Sequence, residues 1–494
     1  MARDRVIVRR GTFLDSVALM LASREAARLD GIQEASIVNA TPLNVELLER
    51  QGFDLSAQAD DLGPNDLVIA LRASAEEQLD EALRLIEADL QRESEPRAGA
   101  AERAPARSIT AASKARSGMN VALISVPGQY AAYESARALD AGMNVFCFSS
   151  GPSIEAEVAL KKQAGELGLM MMGPDCGTTI LGGVSLGFGN AVKPGPVGIV
   201  GASGTGIQAV ACALDATGVG ISHAIGVGGR DLHRPVGGSM ALRAIELLAA
   251  DAPTEVIVVV AKSPDGQVAE TVAAAAHASG KGAVFAFPGL SEAGLSLDFT
   301  TSLDEAANQA ARTVGASPAD AGHRGEPHRT PGAIRGLFSG GTLRDEARSI
   351  LAQQLDGPGD DLPGPGSPEH VLVDLGDERF TQGRPHPMID PTLRVSILKE
   401  QAQDPAVGVL LLDVVLGYGA HPDPAAELAE AIRDGLERRA GDLSVIAFVC
   451  GAQDDPQGLE SQIALLTDAG AVVTRSNGHA ARLALECAGI ADSQ

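Results

Sequence analysis

Apolar and polar positions follow two different rhythms along this chain, and the change of rhythm divides it. Val6-Ile7-Val8, Ala35-Ser36-Ile37-Val38 and Asp66 to Leu71 read as strands, with helical stretches at Ser16 to Leu29 and Ala75 to Leu90. This predicts a small α+β domain over residues 1–90. Residues 91–115, rich in Arg, Ala, Glu, Ser and Pro without an apolar period, read as an exposed linker. Beyond it strand and helix alternate: Val121 to Val126, Ala131 to Ala141, Asn144 to Ser149, Ile154 to Leu167, Leu169 to Met172. Strands at Val197 to Val200, His223 to Gly226, Val256 to Val260 and Val284 to Phe287 continue in a second unit, and a third begins after the Pro-, Gly- and His-rich linker 317–332. Such alternation predicts an α/β protein with parallel sheets and helices on both faces. The breaks place its domains over 116–193, 194–316 and 333–494.

The second and third units repeat one device. Val197 to Val200 runs into Gly201-Ala202-Ser203-Gly204-Thr205-Gly206 and then a helix; Gly336-Leu337-Phe338 runs into Ser339-Gly340-Gly341-Thr342-Leu343 and then a helix. Three further features recur in the same order: a strand followed by Gly226 to Asp231 or Gly376 to Arg379, then Gly237-Gly238-Ser239 or Gly383 to Pro387, then Ala252-Pro253 or Asp404-Pro405 before an apolar strand. Ordered matches of this kind indicate duplication. A strand that turns through small residues into a helix points amide N–H groups and the positive helix end at one place, which favours phosphate or carboxylate. Gly201, Ser203, Gly204, Thr205 and Gly206, with Gly340, Gly341 and Thr342, are therefore candidate anion-binding residues, although a glycine turn that only packs under a helix explains the same spelling. A positive φ is expected at Gly204. Leu343 and Arg344 follow the second loop closely, so the first is expected to admit the larger ligand. No Lys follows the glycines of either loop, which excludes a Walker A motif.

Composition narrows the partners. The 494 residues are 45% apolar with 57 glycines and 3% aromatics, which suits several α/β cores rather than one. A net charge of −25 argues against nucleic acid. The five cysteines lack CxxC spacing, which disfavours a zinc site and a secreted disulfide framework; no metal site is expected. No apolar run is long enough for a membrane span and no signal peptide is evident, so a cytoplasmic protein is expected.

Other candidates lie at strand ends. Asp175, in Gly173-Pro174-Asp175-Cys176-Gly177, stands where open sheets bind ligands, and so do Arg230 and Asp231 after Gly228-Gly229. Cys176 reads better as a buried filler than as a nucleophile, and an ion pair without function is the competing account of Arg230 and Asp231. His386, between Pro385 and Pro387, is a candidate general acid or phosphate contact, or a loop histidine bonded only to backbone. Gly128 and Gln129 end the first strand after the linker without GxGxxG spacing, which disfavours NAD and leaves a CoA-type nucleotide.

The runs Met172 to Thr178, Gly198 to Gln208, Ala224 to Leu232 and Asp455-Pro456-Gln457 closely resemble the FdrA-type proteins, which are similar to rearranged succinyl-CoA synthetases. The resemblance covers the chain from about Val121 onward. It implies a Rossmann-like CoA-binding domain over 116–193 and flavodoxin-like ligase domains of the α-subunit and β-subunit types over 194–316 and 333–494. In the synthetases both ligase domains point a helix N-terminus at a phosphorylated histidine. Here Pro288 to Gly294 contains no histidine, Ala261-Lys262-Ser263 replaces the expected glutamate, and no ATP-grasp domain precedes the second ligase domain.

The FdrA resemblance further implies a subunit of oxamate carbamoyltransferase in purine and allantoin breakdown, exchanging oxalurate and phosphate for oxamate and carbamoyl phosphate together with two other subunits. Asp231 and His386 are then the candidate catalytic residues. The ligands would be phosphate or carbamoyl phosphate and a small carboxylate, with CoA as the one cofactor the resemblance allows. Self-association is compatible with it. An acyl-CoA ligase subunit that borrows its phosphohistidine from a partner is the alternative, and a non-catalytic scaffold with the same fold is a third.

Overall fold

The computed structural model describes residues 3–14, 16–55, 62–94, 106, 108–116, 118–291, 295–381 and 384–490. The chain divides into two compact units, one of residues 1–104 with 376–390, the other of residues 105–375 with 391–494.

In the first unit β1 (Arg3–Arg9), α1 (Ser16–Ala27), β2 (Ile32–Asn39), α2 (Pro42–Arg50), β3 (Leu67–Ala73) and α3 (Glu76–Ser94) form an antiparallel sheet of order β1-β3-β2. Central β3 is buried along nearly all its length, and Leu19, Ile37, Ile69, Leu71, Leu79 and Ile86 make the core between sheet and helices. Arg5 and Arg72 project from the sheet into ion pairs with Glu76, Asp80, Asp4 and Glu34.

The second unit opens with α4 (Ile109–Ala115), inside the stretch expected to be linker; of that stretch 95–105 and 107 lie outside the described residues. Ser108 caps this helix through a bond from the Ala111 amide, a local signal outweighed by the polar composition around it. A parallel three-stranded sheet follows, β4 (Val121–Ile124), α5 (Gly128–Asp140), β5 (Asn144–Cys147), α6 (Ile154–Glu166) and β6 (Met171–Met172), in the order of half a Rossmann sheet. The hairpin β7 (Thr178–Leu181) and β8 (Val184–Gly187), not foreseen from sequence, extends the next sheet at one edge.

That sheet continues with β9 (Pro194–Ala202), α7 (Gly204–Ala216), β10 (Ile221–Gly226), α8 (Ser239–Ala250), β11 (Val256–Ala261), α9 (Gly266–Ala278), β12 (Gly282–Ala286) and α10 (Leu303–Thr313). The last sheet comprises β13 (His323–Arg324), β14 (Ala333–Phe338), α11 (Gly341–Leu351), β15 (Val371–Asp374), α13 (Thr392–Gln403), β16 (Val407–Val415), α14 (Pro424–Arg439), β17 (Ser444–Cys450), α15 (Leu459–Asp468), β18 (Val472–Thr474) and α16 (Asn477–Ala488), with α12 (Glu378–Thr381) in the segment that belongs to the first unit.

The two six-stranded sheets run β12-β11-β9-β10-β7-β8 and β13-β18-β17-β16-β14-β15. Their four corresponding parallel strands stand in one flavodoxin-like order, so the duplicated spelling is a duplicated topology. Strands buried on both faces read as unbroken apolar runs, as Val256–Ala261 does. No helix among the described residues is long and apolar enough to cross a membrane.

Candidate functional site

The flavodoxin-like order places each glycine loop at the switch point between its first and third strands, where such sheets bind ligands. The two loops face one another. Ser203 Oγ and Thr342 Oγ1 are 2.5 Å apart, and a Cβ built on Gly340 would lie 2.8 Å from the Thr205 side chain. Six predicted residues, Ser203, Gly204, Thr205, Gly340, Gly341 and Thr342, thus form one junction where α7 and α11 meet end to end.

The glycines serve different ends. A Cβ on Gly201 would run into Ile207, so its bareness lets the helix fold back on its strand. Gly206 donates its N–H to Ser203 Oγ at 2.9 Å, and a side chain there would meet Val260; its amide completes the helix cap and is not offered to a ligand. Gly204 alone stands at the open end. Its φ is not among the positive ones, against expectation, and a Cβ there would find Thr178 Oγ1 at 3.3 Å and Gly177 at 3.4 Å, a tight fit without backbone strain. Thr178 is 1% exposed and its hydroxyl has no hydrogen-bond partner among the described residues.

The second loop is already filled by the protein itself. Asp413, fully buried on β16, accepts from Ser339 N (2.8 Å), Ser339 Oγ (2.9 Å) and Gly340 N (2.9 Å), and pairs with Arg394 at 2.8 Å. Burial lowers the Arg394 pKa from its ordinary value, opposed by the Asp413 charge. The anion role expected for Gly340 therefore needs correction: its amide holds an internal carboxylate. A Cβ at Gly341 would press on Asp374 and lie 2.9 Å from Lys262 Nζ. In the first loop the register position of Asp413 is taken by Val260, paired with Gly201, so no internal carboxylate stands there. Asp413, Arg394 and Asp374 escaped the sequence reading. The signal was an acid inside the otherwise apolar run Val407–Val415, since a buried charge requires a partner.

Asp231 and Arg230 are bonded within the domain core. Asp231 is fully buried; its carboxylate accepts from Lys161 Nζ at 2.7 Å and from the Ala241 amide at 2.9 Å at the start of α8. Lys161, itself 1% exposed, also bonds Glu157 at 2.7 Å and the Val227 carbonyl at 2.9 Å. Arg230 turns to Glu157 (2.8 Å) and the Pro152 carbonyl (2.8 Å). These residues tie α6 to the loop after β10, which corrects the catalytic role of Asp231, whose carboxylate is spent on Lys161 and the Ala241 amide, while the Arg230 side chain, 36% exposed, is held on one side by Glu157 and Pro152. Asp175 is exposed with φ 56°, its carboxylate 3.5 Å from a Cβ built on Gly229. Burial pushes the Cys176 thiol up to about 12, the state of an inert filler.

His386 belongs to the first unit, with Arg384 beside it bonded to Asn44. Its Nδ1 accepts from the Met388 amide at 3.2 Å, and burial pushes its pKa down to about 4. Neutral at pH 7 and with Nδ1 taken by backbone, the ring brings no positive charge to a phosphate and holds its remaining proton tightly, which speaks against the general-acid role. Gly128 touches the backbone of Ser150 and Gly151, so it is glycine for loop packing. The α5 N-terminus it opens has no side-chain cap and an exposed Gln129, which fits an anionic phosphate of CoA.

A family model described as CoA-ligase matches residues 337–487, a CoA binding domain model matches 192–289, and a model described as AllF, heavy metal-associated domain, matches 1–106. The CoA binding domain match falls on the first flavodoxin-like domain rather than on 116–193. Residues 1–106 contain no cysteine, so the paired thiolates that suit a soft metal are not among its side chains, and no described cluster of three or more His, Cys, Asp or Glu could hold a metal ion. The alpha-2 subunit of ADP-forming succinate–CoA ligase from Trichomonas vaginalis is 33% identical over 150 residues, 29% of this chain and 47% of that protein. An acetyl-coenzyme A synthetase structure from Ca. Korarchaeum cryptofilum overlaps with a TM-score of 0.30 at 15% identity, covering 75% of this chain and 82% of that one. YahF of Escherichia coli K12 is 38% identical over 513 residues, 98% of this chain and 98% of that protein. Matched over 98% of its length by this relative and over 1–106, 192–289 and 337–487 by the models, the chain belongs to the FdrA-type family, whose core is made of succinyl-CoA-synthetase-like domains.

Proposed function

We propose that the chain is the phosphate-handling subunit of a multi-subunit acyl-transfer enzyme, and that the transferred group is carbamoyl. The supporting observation is the junction itself: α7 and α11 meet at the Ser203–Thr342 contact, and the neighbouring segment after β12, tied to the Ser263 amide through the Pro288 carbonyl at 2.9 Å, carries no histidine. Residues 292–294 of that segment lie outside the described residues. Residues 288–294 offer a phosphoryl group held here no imidazole to join, so in this reading it reacts as free phosphate or leaves as an acyl phosphate.

In the forward direction a phosphate oxygen attacks the carbamoyl carbon of oxalurate, the carbon–nitrogen bond to oxamate breaks, and the oxamate nitrogen takes the proton. No nucleotide is consumed. The amides of Gly204 and Thr205 at the α7 end hold the phosphate and lower the cost of charge developing on it. The α11 end, with its inner donors bonded to Asp413, orients the turn that closes the site.

The CoA binding domain match favours a second reading, a CoA-ligase subunit whose partner brings the phosphorylated histidine and the nucleotide domain. The α5 N-terminus and Gln129, outside that match, are the place this reading offers a CoA phosphate, and CoA would supply the thiol that accepts the acyl group. Labelled phosphate, oxalurate and the chain with its co-purified partners separate the two. Acid-labile labelled carbamoyl phosphate supports the first; a thioester formed only with CoA and ATP supports the second.

A further inference from the structure

We propose that Lys262 is the cation that holds the phosphoryl group of a free ligand, inorganic phosphate or a small acyl phosphate, at the α7–α11 junction. The assignment rests on the phosphate-handling role above and adds the residue that sets ligand charge. Lys262 directly follows β11, and Ser203 directly follows β9, so they are the first polar residues beyond the two strands that flank the switch point. The Lys262 side chain is half-buried, yet it makes no hydrogen bond or ion pair with any described residue. Its ammonium lies 2.9 Å from a Cβ built on Gly341. The same Gly340-Gly341-Thr342 turn is bracketed from the other loop by Thr205 and Ser203. An independent sign of a missing acceptor lies beside Gly204, where the buried Thr178 hydroxyl is unpartnered.

The charge logic is direct. Where a synthetase carries its phosphate on a protein imidazole, the anion is tethered and needs no cation to hold it. A free dianion does need one, and a lysine serves as a point charge for phosphate. The competing role is electrostatic relief: Asp374 lies against the same glycine, and Lys262 also acts on Asp345.

Pyridoxal 5′-phosphate separates the two, because its aldehyde condenses with a lysine amine, losing water, while its phosphate seeks an anion site. After borohydride reduction of the imine, modified lysines are mapped by mass spectrometry on the full chain. Of the seven lysines, Lys262 should dominate, and added inorganic phosphate should lower its labelling about fivefold while leaving exposed Lys162 unchanged. By calorimetry, Lys262→Met should weaken phosphate binding about tenfold and Lys262→Arg by no more than about threefold. If phosphate binds the parent but neither protects Lys262 nor distinguishes Lys262→Met, the lysine is a counter-ion to Asp374 and Asp345; the inference is overturned and the phosphate-handling role survives. If the parent binds no phosphate, alone or with its partners, both fall. The labelling arm uses the parent protein, so it decides the matter even if a variant fails to fold.

Discussion

The two glycine loops share spelling, strand order and helix, yet one is closed from within and the other is not. At the second, Asp413 takes the place an anion would occupy and answers to buried Arg394; at the first, Val260 stands at the same register position. A single step in a duplicated strand, acid against valine, decides whether a helix N-terminus is filled by an internal carboxylate or left without one. The same economy recurs elsewhere in the second unit: Asp231 bonds the start of α8, and Glu346 bonds the start of α10 through the Leu303 amide at 2.7 Å. The α7 start, by contrast, is closed by its own Ser203, as the start of α6 is by Ser153 and that of α16 by Ser476.

Removing the acid should expose the difference most strongly. Asp413→Val leaves buried Arg394 unpaired and the Ser339 and Gly340 donors without their acceptor, so we expect a loss of about 3 to 5 kcal/mol in chemical denaturation. The converse position tolerates change better: Val260→Ala should cost about 1 to 3 kcal/mol by the same measurement. Equal losses would erase the contrast between the halves.

The second half should also hold the pH dependence. Glu346 on α11 has its pKa pushed up to about 8, by burial first and by the neighbouring Asp304 charge second. Its folded value lies above its unfolded one, so the native state favours the protonated form. That stability is complete below the ordinary carboxylate range and is lost as pH rises through about 8. Glu346→Gln should flatten the decline, worth on the order of 3 kcal/mol between pH 5 and pH 9, in melting curves taken across that range. An unchanged slope would place the titrating group elsewhere.

Binding measurements test the first half. Gly204→Val has no positive φ to violate, so the protein should fold, while the side chain fills the α7 end and weakens phosphate by about 2 kcal/mol or more in calorimetry. Gly341→Val, pressed against Asp374 and Lys262, should instead be lost to misfolding, seen by circular dichroism. Gly204→Val that folds and binds as the parent does would make the first loop a tight turn only. The smallest effect belongs to Thr342→Val, which removes the hydroxyl contact with Ser203 and should cost about 0.5 to 1.5 kcal/mol of stability. A neutral result would mean that the contact does not fasten the two domains.

Much of the fold was legible. Apolar runs such as Val256 to Val260 and Val197 to Val200 have the length and bounds of buried parallel strands, and the repeated loops led to the repeated strand order. Hairpin β7–β8 was missed because Thr178 to Gly187 is short and glycine-broken, and β7 is held by pairing to β10 and β8 by pairing to β7 rather than by a pattern of their own. Helix α4 was missed because seven residues in a polar stretch carry too little period to register. Of the candidate residues, those of the two loops lie together in the structure, while three others are bonded elsewhere in the protein. Arg230, Asp231 and His386 were conspicuous beside glycines and prolines, but being conspicuous says nothing about partners, and each proved to be engaged by its own surroundings.

Sequence by itself determined the architecture, the duplication and the absence of a histidine in residues 288–294, because these depend on periodicity, order and identity along the chain. Only the tertiary structure decided that the two loops meet, that Asp413 fills one of them, and that Lys262 reaches the Gly341 turn from another domain. Contacts between residues far apart along the chain are set by packing, and whether a charge is spent on a neighbour or left for a ligand depends on distances that no spacing in the sequence records.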